Sequence, residues 1–130
     1  MTKEKFNIED KAVIVSVDVE ADGIITKLDL IVDTGTHETL ICKTAMRRIG
    51  YVRANSIEDV PIQTVGGRAT AYRYVIDNLA ALGIQRREFN IISHPMPSDA
   101  GVDGLLGLDF FEDTVLTIDF KRAEIRVSFE

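Results

Sequence analysis

Leu28-Asp29-Leu30-Ile31-Val32-Asp33-Thr34-Gly35-Thr36 is the stretch that decides how this chain is read. An apolar strand ends there on a carboxylate, a hydroxyl and a glycine. A carboxylate placed where a hydrophobic strand breaks into a tight turn sits at the edge of a low-dielectric core, where its charge is tuned and its oxygens are aimed. By itself the tripeptide Asp33-Thr34-Gly35 is a weak signal, since average residue usage produces it by accident in roughly two of every hundred chains this long. Alone it also fits a strand-end turn, with Asp33 bonding to local backbone and Gly35 supplying a positive φ. Its context carries more. Thr36 and Thr39 follow it, and about seventy residues on the chain reads Gly104-Leu105-Leu106-Gly107-Leu108-Asp109-Phe110-Phe111. The tripeptide occurs once.

The 130 residues make one domain, long enough to bury about two-thirds of its unfolded surface. Hydrophobic residues are 45% and charged ones 28%, a soluble globular composition. The 15 basic and 21 acidic residues leave a net charge of −6. That argues against nucleic acid or an anionic membrane surface as partner. The pairs Arg47-Arg48 and Arg86-Arg87 read as solvated faces. Residues 1–10 form a polar N-terminal segment with no apolar core, unlike a secretory signal, ahead of a single domain over 11–130. No apolar run approaches a membrane span. One cysteine, Cys42, excludes an internal disulfide and fits a reducing compartment, so a cytoplasmic location is expected. Its neighbours Leu40 and Ile41 mark Cys42 as core rather than as a catalytic thiol.

Most of the chain reads as β. Val13, Val15, Val17 and Val19 alternate on one face of a half-buried strand. Asp22-Gly23 marks a hairpin turn, and Ile24 to Val32 returns as the partner strand. Thr39 to Ile41 is a short strand, and Lys43 to Ile49 a short helix ending at Gly50. A second hairpin runs from Val60 to Val65 through Gly66-Gly67 to Arg68–Ile76. Phe89 to Ile92 is a central strand, stopped by His94-Pro95-Met96-Pro97. Leu108 to Asp113 suits one or two helical turns, and Val115–Phe120 with Glu124–Phe129 makes a closing hairpin. Many short strands and little helix predict an all-β, closed and strongly twisted barrel with one or two short helices.

These residues resemble the retropepsin-like aspartic proteases, in particular the small single-domain bacterial and archaeal members. The resemblance runs from about Val13 to Val127 and rests on three segments in order: Leu30 to Thr36, the hairpin around Thr64-Val65-Gly66-Gly67, and Gly104 to Asp109. It implies an acid-protease fold and an aspartic endopeptidase with Asp33 as the catalytic residue. Because the chain has one catalytic loop and no room for a second lobe, it also implies a homodimer, the two Asp33 carboxylates meeting on a two-fold axis. Such a pair shares one proton and activates a water against a peptide bond, with neither metal nor other cofactor. Thr34, Gly35 and Thr36 would support the loop, and Gly107 would belong to the apolar strand packed behind it. Thr36 stands where viral members usually have alanine, and its hydroxyl is expected to donate to the Asp33 carboxylate. Val65, Gly66 and Gly67 would form a flap over an extended peptide substrate, with His37 and Glu38 beside it and Tyr72 and Tyr74 beneath it or packed on the sheet. Leu108 replaces the arginine with which viral members brace the loop.

Other chemistries fit less well. Asp33, His37 and Glu38 evoke a metal site, but His94 is remote in sequence and sits in a proline-rich turn. No nucleophile-elbow sequence supports a serine triad. Asp103, Asp109, Asp113 and Asp119 are explained by turns and caps. The main alternative is a dimeric peptide-binding or scaffolding domain of the same fold without catalysis.

Overall fold

The computed structural model describes residues 1–95 and 101–129, and within them the period-two patterning becomes ten strands. They are β1 (Thr2–Lys5), β2 (Ile14–Ala21), β3 (Ile24–Val32), β4 (Leu40–Cys42), β5 (Glu58–Thr64), β6 (Gly67–Ala81), β7 (Ile84–His94), β8 (Gly104–Leu106), β9 (Val115–Asp119) and β10 (Glu124–Ser128). One short helix, α1 (Lys43–Arg48), follows β4, and single 3-10 turns span Arg53–Asn55 and Leu108–Phe111. The class is all-β with little helix, as the patterning predicts. Among the described residues no helix is long and apolar enough to cross a membrane.

Hydrogen bonding runs β2-β3-β8-β4-β7-β6, and β6 closes back on β2 through Asp18↔Ala80, Val19↔Leu79 and Glu20↔Asn78. The result is a closed six-stranded barrel, with β5 hung on the free side of β6 as one arm of a long hairpin. Val15, Val17 and Val19 point inward from β2, against Leu28 and Leu30 of β3, Ile76 of β6, Ile91 of β7 and Phe110. Closure removes the open edges that a flat sheet of this size would expose.

β8 is the strand that matters for the site. It runs parallel to β3 (Leu30↔Gly104, Val32↔Leu106) and antiparallel to β4 (Leu40↔Leu105). It is therefore threaded between the strand that enters the Asp33 loop and the strand that leaves it. The threading is tight: a Cβ on Gly104 would collide with the Leu40 carbonyl oxygen, and one on Gly107 would lie 2.9 Å from the Glu38 carbonyl carbon.

Two details differ from the sequence reading. β6 and β7 run on to Ala81 and from Ile84, joined at Leu82-Gly83, whose φ angles are 54° and 77°. The buried amide of Asn78 and the small Ala80 and Ala81 break the alternation there, which hides the hairpin from sequence. Residues 1–10 are not merely a polar lead: β1 pairs with β10, and Phe6 is buried, its N–H donating to the Ala123 carbonyl. β7 ends at His94 as its following proline predicts, while the Met96-Pro97 part of that stop lies outside the described residues.

β1, β10 and β9 form a second, three-stranded sheet in that order. The Phe6-to-Ala123 bond sets the phase of its ladders. Ile125 and Val127 turn their backbone groups to β1, while Glu124, Arg126 and Ser128 turn theirs to Asp119, Thr117 and Val115. Antiparallel pairing alternates, so Leu116 and Ile118 direct their N–H and C=O groups to the outer edge of β9. The turn after β9 is held by Asp119, whose carboxylate accepts the N–H groups of Lys121 and Arg122, both at 3.0 Å, and pairs with the Arg122 and Arg126 guanidinium groups.

Two predictions follow from these contacts. Gly104→Ala should cost at least about 3 kcal/mol in urea unfolding, since the barrel must open to admit a methyl group. Gly66→Ala, where the added carbon meets only Thr64 Oγ1 at 3.9 Å, should cost under about 1 kcal/mol. Hydrogen bonds from the Arg122 backbone and side chain, aided by Arg126, lower the Asp119 pKa from 3.8 to about 2. A depressed carboxylate contributes stability above its unfolded pKa and loses it as pH falls through the folded one. Melting temperature should therefore fall between about pH 4 and pH 2, and fall less steeply across that window in Asp119→Asn.

Candidate active site

β3 delivers the chain to Asp33 at the rim of the barrel, where the side chain is half-buried and Thr34 and Gly35 are exposed. The Asp33 N–H donates to the Leu106 carbonyl at 3.0 Å, so the last rung of the β3–β8 ladder fixes the residue. One carboxylate oxygen, Oδ1, accepts the Gly35 N–H at 2.9 Å, and the Thr36 N–H reaches the Asp33 carbonyl at 3.3 Å. The turn is thus closed by backbone donors. The expected donation from the Thr36 hydroxyl is not among these bonds; Thr36 acts here through its backbone, its carbonyl accepting the Leu108 N–H at 2.9 Å.

Beyond Thr36 the loop is sewn to the segment after β8. The His37 carbonyl accepts the Asp109 N–H at 3.0 Å. Thr39 is wholly buried, and its Oγ1 donates to Asp109 Oδ1 at 2.7 Å while accepting the Gly107 N–H at 3.1 Å. The Thr39 N–H also donates to both Asp109 oxygens, at 3.1 and 3.0 Å. With leucine at 108, half-exposed and unable to pair, the carboxylate one position later does the bracing. Asp109 lies in the Leu108–Phe111 turn, but its carboxylate serves Thr39 across the loop rather than capping that turn.

The neighbouring acids are likewise committed. Glu38 makes a two-pronged pair with Arg73 of β6, at 2.8 and 3.2 Å, and Arg73 also binds Glu58 of β5. The Glu38 hydrogen bond, with help from Glu58, raises the Arg73 pKa above its already high ordinary value against the opposing effect of burial. One guanidinium thus ties both arms of the β5–β6 hairpin to the Asp33 loop. Asp103 receives the Asp29 N–H and the Arg48 guanidinium, each within 2.9 Å, and holds β3 and α1 together. His37 is exposed, and among the described residues no group of three or more His, Cys, Asp or Glu side chains converges.

At the far end of the β5–β6 hairpin the fully exposed Val65 makes the turn with Gly66, one residue earlier than the sequence reading placed it. Gly67 opens β6 opposite Thr64, whose hydroxyl donates to the Gly67 carbonyl at 2.8 Å. Tyr74 packs its ring edge-on against Tyr51 at 5.7 Å, and Arg53 stacks over Tyr72 at 5.1 Å. Both tyrosines of β6 thus face the chain around α1. Cys42 is buried and its N–H donates to the Asp103 carbonyl at 2.7 Å, a core position.

Asp33, Thr34, Gly35, Thr36, His37 and Gly107 therefore share one loop cluster, while Val65, Gly66 and Gly67 cap the hairpin tied to it through Arg73. Sequence reading missed Thr39, Arg73 and Glu58. Thr39 was findable, because a polar residue directly before the apolar Leu40-Ile41 needs a buried partner. Arg73 and Glu58 sit opposite each other in the β5–β6 register, a cross-strand charge pair that becomes visible only once the hairpin is phased.

This geometry agrees with known proteins. Residues 15–110 match the model of the aspartyl protease family, and the chain belongs to that family. A retropepsin-like aspartic protease from Rickettsia conorii superposes with a TM-score of 0.72 at 17% identity, over 97% of this chain and 96% of the other. EIAV protease, solved in complex with the inhibitor HBY-793, superposes with a TM-score of 0.61 at 18% identity, over 85% and 93% of the two chains. No curated protein matches the sequence.

Removing the Asp109 carboxylate strands two buried donors of Thr39, and hydrogen bonds to charged groups are each worth about 1.5–3 kcal/mol. Asp109→Ala should lower unfolding stability by about 3 kcal/mol, whereas Asp109→Asn, which keeps one acceptor oxygen, should lose about 1 kcal/mol. Equal, near-zero losses in urea titration would show that Asp109 does not brace the loop.

Proposed function

We propose that this protein is an aspartic endopeptidase that works as a homodimer, hydrolysing peptide bonds with a water held between two Asp33 carboxylates. The observation that carries the proposal is the single Asp33 loop. It is rigidly pinned at the barrel rim, its Thr34 and Gly35 face outward, and one Asp33 oxygen takes a backbone hydrogen bond while the side chain remains partly accessible. One carboxylate so placed is an incomplete acid–base pair. Family membership supports protease chemistry, and the chain contains no second copy of the motif.

Two such carboxylates brought to about 3 Å cannot both ionise cheaply, so they share a proton. The ionised member takes a proton from the water, which attacks the scissile carbonyl carbon; the protonated member gives its proton to the carbonyl oxygen. Collapse of the tetrahedral intermediate breaks the C–N bond as the carboxyl that took the water proton passes it to the amine nitrogen. The other, now ionised, takes a hydroxyl proton of the intermediate back, restoring the shared-proton pair. Thr34 would fasten the two loops to each other across the axis, and Gly35 would keep each carboxylate in plane. The β5–β6 hairpin, with Val65, Gly66 and Gly67 at its tip, would close over an extended peptide and exclude water. The outer edge of β9, with the backbone groups of Leu116 and Ile118 directed outward, supports strand pairing with a second copy.

A peptide-library cleavage assay tests the chemistry. Asp33→Asn should lose at least about a thousandfold in kcat/KM, with sedimentation showing a dimer for both proteins. Activity that survives the substitution overturns the catalytic role of Asp33, and a strict monomer at high concentration overturns the paired site.

A further inference from the structure

A cavity of about 460 Å³ opens between α1, the chain at 51–53 and the β6 strand, and none of the Asp33 loop lines it. Its size falls in the range of about 300–1,000 Å³ typical of ligand sites. The apolar wall is aromatic: Tyr51, Tyr72 and Tyr74. Around it stand three cations, Lys43, Arg47 and Arg53, and no acidic side chain is among the lining residues. What sets these three apart is that they share one cavity wall with no carboxylate on it. Lys27, Arg48, Arg73, Arg122 and Arg126 have carboxylate partners; these three cations have none among the described residues, as is also true of other surface cations such as Arg68 and Arg87. The pair Arg47-Arg48 is accordingly split: Arg48 is spent on Asp103, and Arg47 faces the cavity.

Three cations around one aromatic cavity with no lining acid make a locally positive site in a chain of net charge −6. The Arg53 guanidinium carbon stands 5.1 Å from the Tyr72 ring centroid, a cation–π contact that keeps the cation against the aromatic wall. Burial raises the phenol pKa of Tyr51 and of Tyr74, so both rings stay neutral. The nearby carboxylates of Asp77 and Asp22 act on the Tyr51 phenol but do not line the cavity.

We infer that this cavity is a second binding site, separate from the Asp33 loop, for an acidic stretch of polypeptide in which a carboxylate side chain meets the Lys43, Arg47 and Arg53 cations and an adjacent apolar side chain enters the tyrosine-lined wall. Tyr72 and Tyr74 belong to β6, the strand that also carries Arg73. An occupant would therefore bear on the hairpin that closes the cleft. The choice of a peptide rests on the protease function proposed for the cleft; the preference for negative charge does not.

Fluorescence anisotropy with the Asp33→Asn protein separates binding from cleavage. The probes are two fluorescein-labelled peptides, one carrying Glu-Phe-Glu and the other Gln-Phe-Gln in the same flanking sequence. The acidic peptide should bind at least about fivefold more tightly at low salt, the margin shrinking as salt rises. Arg53→Ala and Lys43→Ala should each weaken the acidic peptide by about tenfold with unchanged melting temperature, while Arg87→Ala, on the exposed side of β7, should not. Equal affinity for the two peptides, no binding of either, or indifference to Arg53→Ala and Lys43→Ala overturns the site. Cleavage of a neutral peptide by the unmutated protein is measured alongside. If it is absent while charge-selective binding persists, the endopeptidase assignment fails and the cavity stands; if it is present without selective binding, the reverse holds.

Discussion

The Asp109 carboxylate accepts both polar hydrogens of Thr39 in a place where no water reaches the threonine. Around that contact the site is assembled. Thr39 in turn accepts the Gly107 N–H, which fixes the end of β8, and β8 holds the Asp33 amide. The carboxylate of Asp33 is thus positioned by a chain of short bonds reaching from one side of the barrel rim to the other. Every link is backbone, or a side chain with few rotatable bonds, which is how a reactive group is held within tenths of an ångström. The threading of β8 makes the arrangement possible, and it leaves no room for a side chain at Gly104 or Gly107.

A second linkage couples this rigid centre to the long hairpin. Arg73 joins Glu38 on the loop side to Glu58 on the hairpin side. Its three-way pairing neutralises charge that would otherwise crowd the rim of an already acidic molecule. It also makes the position of the hairpin sensitive to events at the loop. The faces of β6 divide the work: Arg73 turns toward the loop, while Tyr72 and Tyr74 turn toward α1 and the cavity there. One strand therefore borders two chemically different spaces.

Much of this was legible in the sequence because it rests on local signals. Strict alternation located β2, Asp22-Gly23 located the turn after it, and the apolar run ending at Asp33 located the loop. The glycines at 104 and 107 marked the strand behind it. What escaped was whatever depends on strand phasing or on contacts between remote segments. The β6–β7 hairpin was hidden because Leu82, not a glycine, takes the first left-handed position of its turn and Asn78 sits in a buried slot. The role of Asp109 was hidden because a carboxylate near a helical turn has a commonplace explanation, and its partner lies 70 residues away in sequence. Thr36 shows the opposite error, a side-chain role expected by analogy where the backbone does the bonding. β1 was missed because four residues of alternating threonine, lysine and glutamate carry no hydrophobic period.

The pairing of β1 with β10 has a consequence for how the protein comes into being. Thr2 meets Val127, so this strand's partner lies far along the chain and the pairing forms only after both segments have been made. Contacts so distant along the chain slow folding, since the entropy of closing the loop is lost before the bonds reward it. The barrel can close first, its hairpins being local, while the terminal sheet and the burial of Phe6 come last.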